Sequence, residues 1–84
     1  MKPIKTKNLK VGVIYADTPE NPVLLEFVKF KKVEKIHGCF FKVIGTNHNG
    51  YRSLNGLVGF KRDDAVGFWE PTKKEIETIL KNQS

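Results

Sequence analysis

The segments VLLEFVKFKKVEK (Val23–Lys35) and CFFKVI (Cys39–Ile44) decide the fold. Both are short apolar segments rich in β-branched and aromatic residues and bounded by turn signals, which marks strands rather than helices. In the first segment Leu25 and Phe27 share one face, while Leu24, Val28 and Phe30 share the other. Val33 then falls opposite Phe30, so the inward set changes sides, which predicts a bulge or sharp bend at Lys31-Lys32. Bends of this kind let a sheet of few strands curl into a barrel. His37-Gly38 reads as the turn joining the two strands.

Working outward, Val11–Tyr15 reads as a first strand, preceded by a flexible basic lead-in over residues 1–10. Asp17–Pro22 holds two prolines and turn-prone Asp and Asn, which define a loop. Downstream, Asn49-Gly50 predicts a hairpin turn into a strand from Tyr51 to Leu54. Val58-Gly59-Phe60 and Val66-Gly67-Phe68 flank a charged stretch and read as a further hairpin. Thr72 and Glu75 have capping-box spacing and open a helix over residues 72–82. Its narrow stripe of Ile76, Ile79 and Leu80 is expected to dock on the sheet, since so short a helix is marginal alone in water. The expected fold is α+β, mainly β: one domain over residues 1–84, with a strongly bent five-stranded antiparallel sheet or SH3-like small barrel and a C-terminal α-helix. An open sheet with the helix across one face is the alternative.

Eighty-four residues suffice for one small domain. So short a chain buries only about 60% of its unfolded surface, so the six Phe, two Tyr and one Trp matter to its core. A single cysteine, Cys39, excludes an internal disulfide and points to a reducing compartment. No apolar run reaches the ~20 residues of a membrane span, and the N-terminus lacks a signal-peptide core. The expected location is the cytoplasm.

Catalytic and metal chemistry find little support. His37, Cys39 and His48 are the soft or borderline ligand candidates, but three residues without paired spacing do not make a structural zinc site. Cys39 opens an apolar strand, where a thiol usually behaves as a small core hydrophobe, and no third group orients His37 as its base. Asp63-Asp64 follows Lys61-Arg62 and reads as a solvated loop. The seven glycines form no phosphate-binding loop. No cofactor, metal or small-molecule substrate is implied, and an enzyme is not expected.

The positive signal is basic. The net charge is +6, with Lys2, Lys5, Lys7 and Lys10 in the first ten residues and Lys29, Lys31, Lys32 and Lys35 in a second cluster. Phe27-Val28-Lys29-Phe30-Lys31-Lys32 and Phe40-Phe41-Lys42 interleave rings with these charges, a pattern suited to stacked bases beside neutralised phosphates. A nucleic-acid-binding module would use Lys29, Lys31, Lys32, Lys35, Lys42 and Arg52, with Phe40 or Tyr51 stacking. Phe40, Tyr51 and Trp69 are the aromatics expected to be exposed. The alternative is a protein-interaction adaptor or inhibitor, such as a virus-encoded accessory protein, that presents an edge strand, the helix, or Trp69, Arg62 and Tyr51.

Overall fold

A computed structural model describes residues 1–46, 57–63 and 67–82. Its strands are β1 (Lys2–Lys5), β2 (Ile14–Ala16), β3 (Val23–Val33), β4 (Ile36–Thr46), β5 (Leu57–Lys61) and β6 (Gly67–Glu70), followed by the helix α1 (Lys73–Lys81). The six strands form one antiparallel sheet in the order β1-β6-β2-β3-β4-β5. The class is mainly β with a C-terminal helix, as expected. The described residues give six strands rather than five, however, and the sheet is not closed into a barrel.

The long β3–β4 hairpin sets the geometry. Val23, Leu25 and Phe27 on β3 join Cys39, Phe41 and Val43 on β4, and with Leu9, Tyr15 and Phe68 they form the main core. The register shifts between Phe27 and Lys29, which leaves Val28 as an extra residue. This bulge lies three residues before the expected bend. It corrects the face assignment, because Phe30 pairs with Cys39 and its ring lies 4.8 Å from that of Phe27. Gly12 N–H donates to the Phe27 carbonyl at 2.9 Å and Val13 carbonyl accepts from Phe27 N–H at 3.0 Å, so two residues oppose one here as well.

Three turn and strand expectations change. His37-Gly38 lies inside β4, and the hairpin turns at Glu34-Lys35, with Glu34 at φ +57°. A positive φ at the first loop position is common to the primed hairpin turns. The first expected strand is shortened at its start to Ile14, because the chain turns at Gly12 (φ +83°) and leaves Val11 in solvent. The basic lead-in contains β1 and a 3-10 turn at Thr6–Asn8, with Thr6 and Leu9 buried. By contrast, the Asp17–Pro22 loop is as expected. Asp17 Oδ1 accepts from Thr18 N–H at 2.8 Å and from Val23 N–H at 2.9 Å, which ties the loop's ends together.

The expected hairpin from Val58 to Phe68 does not form. β5 pairs with β4, whereas β6 lies between β1 and β2. Curling of the sheet nonetheless brings the Phe60 and Phe68 rings to 5.8 Å, and both lie against Phe41. Apolar contact across the open side therefore replaces hairpin pairing. Thr6 Oγ1 adds a hydrogen bond to the Asp63 carbonyl at 3.2 Å, linking the first turn to the exit of β5. The expected Asn49-Gly50 hairpin and the strand from Tyr51 to Leu54 lie outside the described residues.

The helix lies against β4. Ala16 and Leu24 alternate away from the main core yet are fully buried, and Ile79 of α1 is buried as well. Ile76 is half-buried and Leu80 is exposed, so the docking stripe is narrower than its spacing suggests. Nine helical residues extend about 14 Å, whereas eleven strand residues extend about 36 Å. One helix can therefore cover only part of this outer face.

The cap has the expected form. Thr72 N–H donates to Glu75 Oε1 at 2.9 Å, and Glu75 N–H donates to Thr72 Oγ1 at 3.2 Å. The backbone hydrogen bond from Thr72 holds the Glu75 carboxyl below its ordinary range, with smaller help from the Thr72 side chain and the Met1 amine. A carboxyl lowered in the folded state contributes stability above its unfolded pKa and loses it as pH falls through the folded value. Removing the N-cap by Thr72→Ala should lower stability by about 1 kcal/mol. Glu75→Gln, which preserves the cap, should flatten part of the acid limb of a urea-denaturation pH series.

Candidate nucleic-acid interface

Strand register sorts the residues of β3, β4 and β5 into two sides. Cys39 pairs with Phe60 and Phe41 with Val58 on the core side, so Gly38, Phe40 and Lys42 face outward. Because Val28 is extra, the outward residues beyond it on β3 are Lys29, Lys31 and Val33. Three rows then cross the sheet: Glu26, Lys42 and Leu57; Lys29, Phe40 and Gly59; and Lys31, Gly38 and Lys61. Directly opposed Cβ positions are about 4.5–5.5 Å apart. Phe40 thus sits among four exposed lysines, with Glu26 as the acid in these rows.

The glycines explain how the ring is seated. A Cβ on Gly38 would lie 2.9 Å from Phe40 Cε2, and one on Gly59 would lie 3.0 Å from Cε1. The half-buried ring therefore leans low over two backbone positions, where any larger residue would lift it. Val33, Ile36, Gly38, Phe40, Gly59 and Lys61 line a shallow depression of about 190 Å³ beside it. Val33 and Ile36 are more than half exposed at the hairpin end of this depression.

Of the basic residues expected to act together, Lys29, Lys31 and Lys42 meet around Phe40. Lys32 pairs with His37 and faces the other side, and Lys35 lies in the hairpin turn. Arg52 and Tyr51 lie outside the described residues. Lys61 joins the group although the sequence placed it in a charged loop. Its alternation with Gly59 was the available signal, but β5 had no identifiable partner. Trp69 is half-buried on β6, on the side opposite Phe68. Arg62 stands on the core side, its Cζ 4.5 Å from the Phe30 ring centroid, so Trp69 and Arg62 lie on opposite faces. The more exposed rings are Phe30 and Phe60.

Cys39 is fully buried beneath this face. His37 is exposed and Asp63 lies at the exit of β5, whereas His48 and Asp64 lie outside the described residues. Among the described residues no three His, Cys, Asp or Glu side chains form a metal-holding group, and no helix is long and apolar enough to cross a membrane. Comparison with protein-family models, curated proteins and solved structures finds no match to this chain.

The seating of Phe40 has a measurable consequence. Gly59→Ala meets only a half-exposed ring that can swing outward, whereas a Cβ on Gly67 would lie 2.4 Å from the Ile4 carbonyl oxygen. Gly67→Ala should cost about 1–3 kcal/mol, as overpacking against fixed atoms does. Gly59→Ala should stay within about 1 kcal/mol of the parent. Paired urea denaturation curves check the difference.

Proposed function

We propose that this chain is a non-enzymatic binding module that takes single-stranded nucleic acid on the outer face of β3, β4 and β5, in the cytoplasm. The observation that carries this reading is the seating of Phe40 over Gly38 and Gly59 within a ring formed by Lys29, Lys31, Lys42 and Lys61. Stacking of a base on an aromatic ring is worth about 1–3 kcal/mol and tolerates any base. Lysines spaced along neighbouring strands can meet successive phosphates, and their mutual repulsion falls when an anion binds. Lys31 and Lys61 flank Gly38 across β4 beside the leaning Phe40 ring, which puts two cations next to the stacking surface. The curled sheet with its short helix is consistent with an SH3-like module in architecture, but fold alone does not determine the ligand.

A protein partner is the second reading, supported by the exposed Val33 and Ile36 at the hairpin end. An adaptor or inhibitor would bury these side chains, and its partner would survive nuclease treatment of a lysate.

The two can be separated by fluorescence anisotropy with a labelled oligonucleotide across a salt series. Each phosphate neutralised on a single strand contributes about −0.7 to the log–log slope, so four lysines predict roughly −2.8. Lys31→Gln with Lys61→Gln should reduce the slope by about 1.4. Phe40→Leu should weaken binding at an unchanged slope. Lys32→Gln, on the other side of the sheet, should do far less than Lys31→Gln. Equal effects at Lys31 and Lys32, or no binding at low salt, would contradict the proposal.

A further inference from the structure

We propose that the mouth of the curled sheet, between β1, the 3-10 turn and β2, is a second site that binds a small amphipathic anion: one carboxylate or phosphate on an apolar body. It lies among different residues from the Phe40 face and does not depend on the function proposed for that face. The cavity there measures about 680 Å³, within the roughly 300–1,000 Å³ typical of small-molecule sites. Its apolar wall is made by Ile4, Leu9, Val13 and Tyr15, all of which belong to the main core or pack against it. An apolar body placed there would extend a core that already exists.

The polar groups specify charge. Lys2, Lys7 and Lys10 line the cavity, with Glu70 as the acid. Lys2 stands directly opposite Glu70 in the β1–β6 register, so those two charges offset one another. Lys7 and Lys10 are exposed, and against the single Glu70 the three lysines leave an excess of positive charge suited to one anionic head. Tyr15 also lines the cavity. Its side chain is only 2% exposed, and its hydroxyl accepts the Lys10 backbone N–H at 2.9 Å. A nucleic-acid backbone would fit this cavity poorly, since its phosphates recur along the chain whereas the wall is apolar.

The test is an amide-resolved NMR titration of the full chain with octanoate, octyl phosphate, acetate and octanol, each kept below its self-association concentration. Octanoate or octyl phosphate should shift Leu9, Val13 and Tyr15 saturably, and whichever binds more tightly identifies the head group. Acetate and octanol should each bind at least about tenfold more weakly, because each lacks half of the recognition. Lys7→Gln with Lys10→Gln should lower affinity about tenfold at an unchanged melting temperature. The site would be overturned by octanol binding as tightly as octanoate, by indifference to the double substitution, or by no saturable shift from any probe. Shifts centred on Phe40 would likewise overturn it, by placing the anion on the other face.

Discussion

An extra residue at Val28 determines which way the rest of β3 faces. Side chains in a strand alternate with period two, so one inserted residue transfers every later position to the opposite side. Without it, Phe30 would point outward and Lys29 and Lys31 would be directed toward the core side. With it, Phe30 joins Phe27 at 4.8 Å, and both lysines move to the face that holds Phe40. The same insertion thus extends the aromatic core and assembles the basic surface. Apolar contact stabilises the bulge, since tilted and edge-on ring pairs contribute about 0.5–1.5 kcal/mol beyond their buried area. A second shift, between Leu24 and Leu25, leaves Ile44 as the extra residue on β4.

Local features were legible in the sequence where local chemistry determines them. Thr72 and Glu75 form their cap within four residues, and Asp17 closes its own loop, so neither depends on the remainder of the chain. The bend expected at Lys31-Lys32 does not form: Phe30 and Val33 fall on opposite faces by regular alternation, with Val33 exposed, and the true bulge at Val28 has no signal in the hydrophobic pattern. His37-Gly38 has stronger turn composition than Glu34-Lys35, but Gly38 serves another purpose: it makes room for the Phe40 ring. The Val58–Phe68 hairpin failed for a related reason. Its two halves echo each other in sequence, but Phe60 and Phe68 meet through their rings rather than through a shared ladder.

The candidate interface was legible in residue type and not in membership. Interleaved Phe and Lys identified β3 and β4 as the relevant strands, and Lys29, Lys31, Lys42 and Phe40 do lie together. Lys32 is next to Lys31 in sequence and on the opposite face in space, a separation that only the register fixes. Lys61 arrives from a strand whose pairing spans a large sequence separation, which local patterns do not encode. The cavity at the sheet mouth was hidden for a different reason, since its lysines come from a segment that read as a flexible lead-in.

The most direct measurement is an amide-resolved NMR titration of the intact chain with a short single-stranded oligonucleotide. The account predicts shifts concentrated on Lys29, Lys31, Phe40, Lys42, Gly59 and Lys61, with Lys32, His37 and Arg62 little changed. Shifts centred instead on Lys32, His37 and Arg62 would show that the working surface lies on the other side of the sheet and would contradict it.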